Sequence, residues 1–344
     1  NGLSFNALPP IHLPFRFFLT APIFVIICAL LILLSGETLW LSRWNSGMLA
    51  LTHGFTLGFI TMVMMGALLQ LLPVIGGIGM AKPRSVVSIC HSALVLGILC
   101  LMANFMWPSV LLTITSLLLL VLGLGIYIVA IALVLLKKLS QGDSIIGFRL
   151  SIISLSFVLI LGVLMLNLLL PTRFDLSFLN ANFIGKAVTN AHAVFGLVGW
   201  SSIMIISVSF QVIPMFHVAP SFSKKLTGYL PITLFFLVIV FIFKPEMVTP
   251  IIVILHGLYA IILLLTISKR KRKIPDITIQ YWQLAALSLI AFNLFYFLPD
   301  TYLHDSVITA KTTVLISTLK LKEIFLFCSV SLFIFTLPKV KFLI

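Results

Sequence analysis

The stretch THGFTLGFITMVMMGALLQLLPVIGG, residues 52–77, decides the class of this chain. Lipid offers the peptide backbone no hydrogen-bond partner, so a membrane-crossing segment must be a helix of roughly 20 mostly apolar residues that satisfies its own N–H and C=O groups. This stretch is long and apolar enough. It nevertheless keeps His53 near one end, and Gln70 and Pro73 near the other.

The rest of the sequence repeats the signal. With 61% hydrophobic and 9% charged residues and a mean hydropathy of +1.25, the chain has too little polar surface to cover a soluble domain. Ten spans are expected, near 14–40, 48–75, 85–106, 109–136, 145–170, 187–213, 227–243, 248–267, 279–297 and 320–338. The fold class is an all-α integral membrane protein, one polytopic domain over residues 1–344.

With ten spans both termini share a side, and the basic residues choose it. Lys82 and Arg84, Lys137 and Lys138, Lys224 and Lys225, the run Lys269–Lys273, and Lys339 with Lys341 follow even-numbered spans. The opposite loops carry only Arg43, Arg173, Lys186, Lys244 and Lys311, mixed with Asp175, Glu246, Asp300 and Asp305. The positive-inside rule makes both termini cytoplasmic. The net charge of +14 is therefore a topology signal that also attracts anionic lipid. Nucleic-acid binding is not expected, because no soluble domain accompanies the basic run. Residues 14–40 read as a retained span rather than a cleaved signal. Cys28, Cys90, Cys100 and Cys328 fall inside spans without CxxC spacing and read as apolar fillers.

An imperfect internal repeat links residues 53–75 and 192–216. Gly58, Gln70 and Pro73 of GFITMVMMGALLQLLPVI fall on Gly199, Gln211 and Pro214 of GWSSIMIISVSFQVIPMF without a gap. Each proline removes an N–H from the helix ladder and frees the carbonyl four residues earlier, which the glutamine can reach. A kinked inner end is expected in both copies. His53 aligns with Val194, so His192 is displaced by two positions.

Of seven histidines, His53, His192 and His256 lie in three spans that run from outside to inside, at similar expected depths below the outer surface. His91 belongs near the other side. His12, His217 and His304 sit at helix ends or in a loop and read as solvated or interfacial. Ionisable groups within a membrane are costly, and bonding them to a metal is one way to make them tolerable. Imidazoles on facing helices supply the two axial nitrogens of a six-coordinate haem. Copper accepts imidazole too, with thioether sulfur as a soft partner, although Met62, Met64 and Met65 read as packing.

The eight acidic residues include none at mid-membrane, which argues against a proton pump or proton-coupled carrier. No P-loop, dinucleotide fingerprint or Ser-His-Asp arrangement is present.

The segments LTHGFTLGFITMVMMGALLQLLPVIGG (51–77) and NAHAVFGLVGW…FQVIPMFH (190–217) resemble the membrane proteins related to haem-copper oxidase subunit I, including the NnrS-like group connected with nitric oxide stress. PPIHLPFRFFLTAPIF (9–24) looks like the N-terminal entry of those relatives. The resemblance implies a haem-copper-oxidase-like bundle in which His53 is an axial ligand of a low-spin haem b. His192 or His256 would be the second ligand, with copper as a further metal. Arg43 and Arg173 read as ordinary outer-loop cations, with pairing to haem propionates as the alternative. Departures matter as well: there is no His-His pair, and Tyr259 follows His256 by three residues, where the family's cross-linked tyrosine stands four away. The implied role is redox chemistry, electron transfer or nitric oxide response, with an electron donor or other membrane subunits as partners and without oxygen reduction or proton pumping. A copper or small-solute permease, and a non-catalytic accessory subunit of a larger membrane complex, are the two other readings.

Overall fold

The computed structural model of the chain describes residues 8–137, 144–167, 184–272 and 277–297. Among the described residues are nine helices long and apolar enough to cross a membrane, and no strand. They are α1 (His12–Trp40), α2 (Ser46–Gly76), α3 (Pro83–Met106), α4 (Val110–Leu135), α5 (Ile145–Asn167), α6 (Lys186–His217), α7 (Lys224–Phe241), α8 (Pro245–Ser268) and α9 (Ile277–Phe297). The span expected over 320–338 lies outside the described residues.

Helix starts follow local chemistry. Asn45 caps α2 by accepting from the N–H groups of Gly47 and Met48, and Ser109 and Ser223 cap α4 and α7 in the same way. Pro83 and Pro245 open α3 and α8 at the first helical position, where a missing N–H would be unsatisfied anyway.

Cross-helix contacts fix the directions. Cys28 faces Leu51 while Phe17 faces Gly66, so α1 and α2 are antiparallel. Arg16 reaches Ser88 and Thr20 reaches His91, so α1 and α3 are parallel. The basic loops, from Lys82 to the Lys269–Arg272 run, thus gather at one end of the bundle, hereafter the basic end. Glu37 and Glu246, the only acidic residues described, lie at the opposite end.

The two repeat-bearing helices form the centre. Of their apolar windows 89% and 78% of residues are buried, against 22–44% in the other seven helices, whose outer faces are lined with exposed Leu, Ile, Val and Phe. Met62, Met64 and Met65 are packed inside, as their reading as core required. Tyr127 of α4 donates to the Met65 carbonyl at 3.2 Å.

The repeat is structural as well as sequential. A side chain at Gly58 would strike Phe24 of α1, and one at Gly199 would strike Ser154 of α5. Each glycine marks the close crossing of the preceding antiparallel helix, the usual role of small residues between membrane helices. Both copies also end in a left-handed residue at matching positions, Gly77 (φ +70°) and Val218 (φ +51°). Glycine takes that conformation freely, whereas a β-branched valine is strained in it.

Neither proline of the repeat ends its helix. α2 and α6 continue past Pro73 and Pro214 to Gly76 and His217. Both helices also carry π-helical segments, Thr56–Thr61 in α2, and Ile184–Val188 at the start of α6 with Phe195–Ser202 further along it. The Gln70 amide nitrogen is buried without a hydrogen-bond partner, so it does not serve the carbonyl freed by Pro73.

Candidate functional site

A π segment widens the helix turn and shifts every side chain after it around the axis, and such bulges recur at functional sites. His53 stands three residues before the π segment of α2, and His192 three residues before the Phe195–Ser202 segment of α6. The two segments end in register, at Thr61 and Ser202, but the second starts two residues earlier. That difference equals the two-residue displacement of His192 in the sequence repeat. Each histidine thus stands one turn before a π segment.

The rings face each other across the centre of the bundle. Their centroids are 6.1 Å apart and their planes 28° from parallel. Thr61 and Trp200, eight residues further along each helix, repeat the pairing: the Trp200 indole N–H donates to Thr61 Oγ1 at 3.1 Å. α2 and α6 thus run side by side in the same direction, locked by a buried hydrogen bond below the histidines.

Each ring is oriented through one nitrogen. His53 Nδ1 lies 2.8 Å from the Leu49 carbonyl oxygen and His192 Nδ1 lies 3.1 Å from that of Val158 on α5. A carbonyl only accepts, so in the neutral ring Nδ1 carries the proton and Nε2 keeps its lone pair. This is the tautomer of a metal ligand held by an outer hydrogen bond. Phe105 of α3 packs against His53 with centroids 5.1 Å apart. Gly162 of α5 leaves room beside His192: a Cβ there would sit 3.3 Å from the ring's Cε1.

His256 is elsewhere and fully engaged. Its Nδ1–H donates to the Ile252 carbonyl at 2.7 Å, and Nε2 accepts from the Ser202 hydroxyl at 2.5 Å. Ser202 lies ten residues beyond His192 on α6, about 15 Å at the α-helical rise. The three histidines expected in one layer thus divide into a pair and a deeper single residue. The reason is register: α8 runs parallel to α6, and Ser209–Tyr259 contact follows Ser202–His256 contact down both helices.

His91 lies toward the basic end, with Nε2 2.8 Å from Thr20 Oγ1 and its ring edge-on to Phe17. His12 is exposed at the start of α1 and His217 buried at the end of α6. His304, Arg173 and Cys328 lie outside the described residues. Arg43 stacks on Trp44, with its guanidinium carbon 4.8 Å from the ring centre. Cys28, Cys90 and Cys100 are free thiols. Among the described residues no group of three or more His, Cys, Asp or Glu side chains is placed to hold a metal ion.

Sequence reasoning missed Phe105, Gly162, Ser202 and the π segments. The displaced His192 was the one visible trace of the unequal π segments. The other three act through contacts between helices, which no local pattern encodes.

Fold and site define a class: a polytopic α-helical membrane protein with an internal parallel repeat and one histidine pair between its two central helices. No family model, curated protein or solved structure matches the chain.

Proposed function

We propose that this protein binds a haem b between His53 and His192 and acts in electron transfer or in the response to a small ligand such as nitric oxide. The observation that carries the reading is the ring pair itself. Two neutral imidazoles on the two central helices, with ring centroids 6.1 Å apart and no hydrogen-bond partner on either Nε2 among the described residues, are the nitrogen donors a haem iron would take. A haem so held would supply one-electron chemistry. The protein's own part is to fix both rings through the Leu49 and Val158 carbonyls and to surround them with apolar side chains. The likeness of residues 51–77 and 190–217 to relatives of haem-copper oxidase subunit I supports the same reading, and His192 is favoured over His256 because Ser202 occupies the latter's Nε2.

The absence of acidic residues from mid-membrane positions of the sequence supports a role without proton pumping, and the missing His-His pair and His-x-x-x-Tyr spacing support one without oxygen reduction. The reading also takes ten spans, with both termini and the basic end on the cytoplasmic side of a bacterial inner membrane. Its test is the haem content of protein purified from haem-replete cells. About one haem per chain in the wild type and none in His53→Ala is expected; haem-free wild type overturns it.

One observation favours a second reading, a copper permease. A side chain at Gly54 would meet Met102 Sδ and Cys28 Sγ together, so a thioether and a thiol flank one point beside His53, a soft set suited to Cu(I). Copper uptake by haem-free protein that is lost in Cys28→Ser/Met102→Leu would establish that reading in place of the first.

A further inference from the structure

We propose that the notch between the basic-end starts of α1 and α3 binds the headgroup of an anionic phospholipid, whose acyl chains lie on the apolar rows of the same two helices. Arg16 is exposed one turn into α1, and its Nη1 donates to Ser88 Oγ of α3 at 3.2 Å. Arg84 is exposed one turn before Ser88, on the same face of α3. Among the described residues it has no hydrogen-bond or ion-pair partner. Lys82, exposed in a left-handed conformation, precedes the helix, whose N-terminal dipole adds positive potential.

Two further observations select a lipid. The first is charge: Glu37 and Glu246, the only carboxylates among the described residues, are at the far end of the bundle, so nothing described neutralises this cluster. Paired guanidinium groups match the oxygens of a phosphodiester by charge and by bidentate geometry. The second is what lies next to the cations. Leu19 and Ile23 follow Arg16 by three and seven residues and are 67% and 54% exposed; Ile89 and Leu96 continue the face of Ser85 on α3 and are 45% and 53% exposed. A cationic head above two lipid-facing apolar rows is the complement of an anionic amphiphile. The Thr20–His91 hydrogen bond, one turn further in, holds the two helices in register and keeps Arg16 beside the first turns of α3.

Native mass spectrometry of the detergent-purified protein, titrated with phosphatidylglycerol and with phosphatidylcholine of identical chains, tests the assignment. Phosphatidylglycerol should be retained in preference. In Arg16→Gln/Arg84→Gln its affinity should fall roughly thirtyfold, as expected for two cations at a lipid surface, whereas Lys269→Gln/Arg270→Gln, with the same loss of charge, should keep it. Millimolar inorganic phosphate should not displace the lipid. Equal retention of the two lipids, an unchanged preference in the double variant, an equal loss in the Lys269/Arg270 control, or displacement by phosphate would each overturn the site. If the double variant does not fold, Arg84→Gln, which breaks no hydrogen bond, carries the same test.

Discussion

Single residues carry the sharpest consequences. Ser202→Ala would leave His256 Nε2 buried and unpaired, a cost of about 1–3 kcal/mol. Thermal unfolding in detergent should show that loss, and the spectrum of any bound haem should be unchanged, because His256 is not its ligand. Val218→Gly should raise stability by about 1 kcal/mol by relieving a left-handed β-branched residue; a lower melting temperature would show that the valine side chain matters more than its backbone. At this scale the sequence was partly legible. His53 and His192 stood out because a histidine inside an apolar run is costly. Phe105 and Gly162 did not, because a phenylalanine or glycine in a membrane helix carries no mark of which neighbour it meets.

At the scale of elements, the central helices owe their geometry to glycine and to the π segments. A methyl group at Gly58 or Gly199 must displace Phe24 or Ser154, so Gly58→Ala and Gly199→Ala should each cost about 1–3 kcal/mol as overpacking. The same substitution at Gly125, which has open space around it, should be close to neutral. All nine described spans were readable from hydropathy, since ~20 apolar residues have few other fates. The π segments were not, because a turn widened by one residue leaves composition and hydropathy unchanged. Even so, the repeat's two-residue slip was recorded in the sequence, and it equals the difference in length of the two segments that follow the histidines.

For the whole molecule, charge and symmetry set the frame. Cations cluster at one end and the histidine pair lies toward the other, so the proposed cofactor sits away from the basic loops. With the basic end in the cytoplasm, a cysteine introduced at Lys137 should resist a membrane-impermeant thiol reagent in intact cells and one at Trp44 should react, in a background lacking the native cysteines; the reverse pattern would invert the proposed orientation. Depth was less legible than sidedness. Counting residues from span edges put three histidines in one layer, whereas the relative sliding of α6 and α8 places His256 below the pair.

The claim on which the rest depends is that His53 and His192 jointly hold a haem. Its most direct test is the dithionite-reduced minus oxidised absorption spectrum of the purified wild type beside His53→Ala, His192→Ala and His256→Ala. A sharp low-spin b-type α-band in the wild type and in His256→Ala, lost in both other variants, is the predicted result. A featureless wild-type spectrum from haem-replete cells, or a band that survives without His192 and disappears without His256, would contradict it.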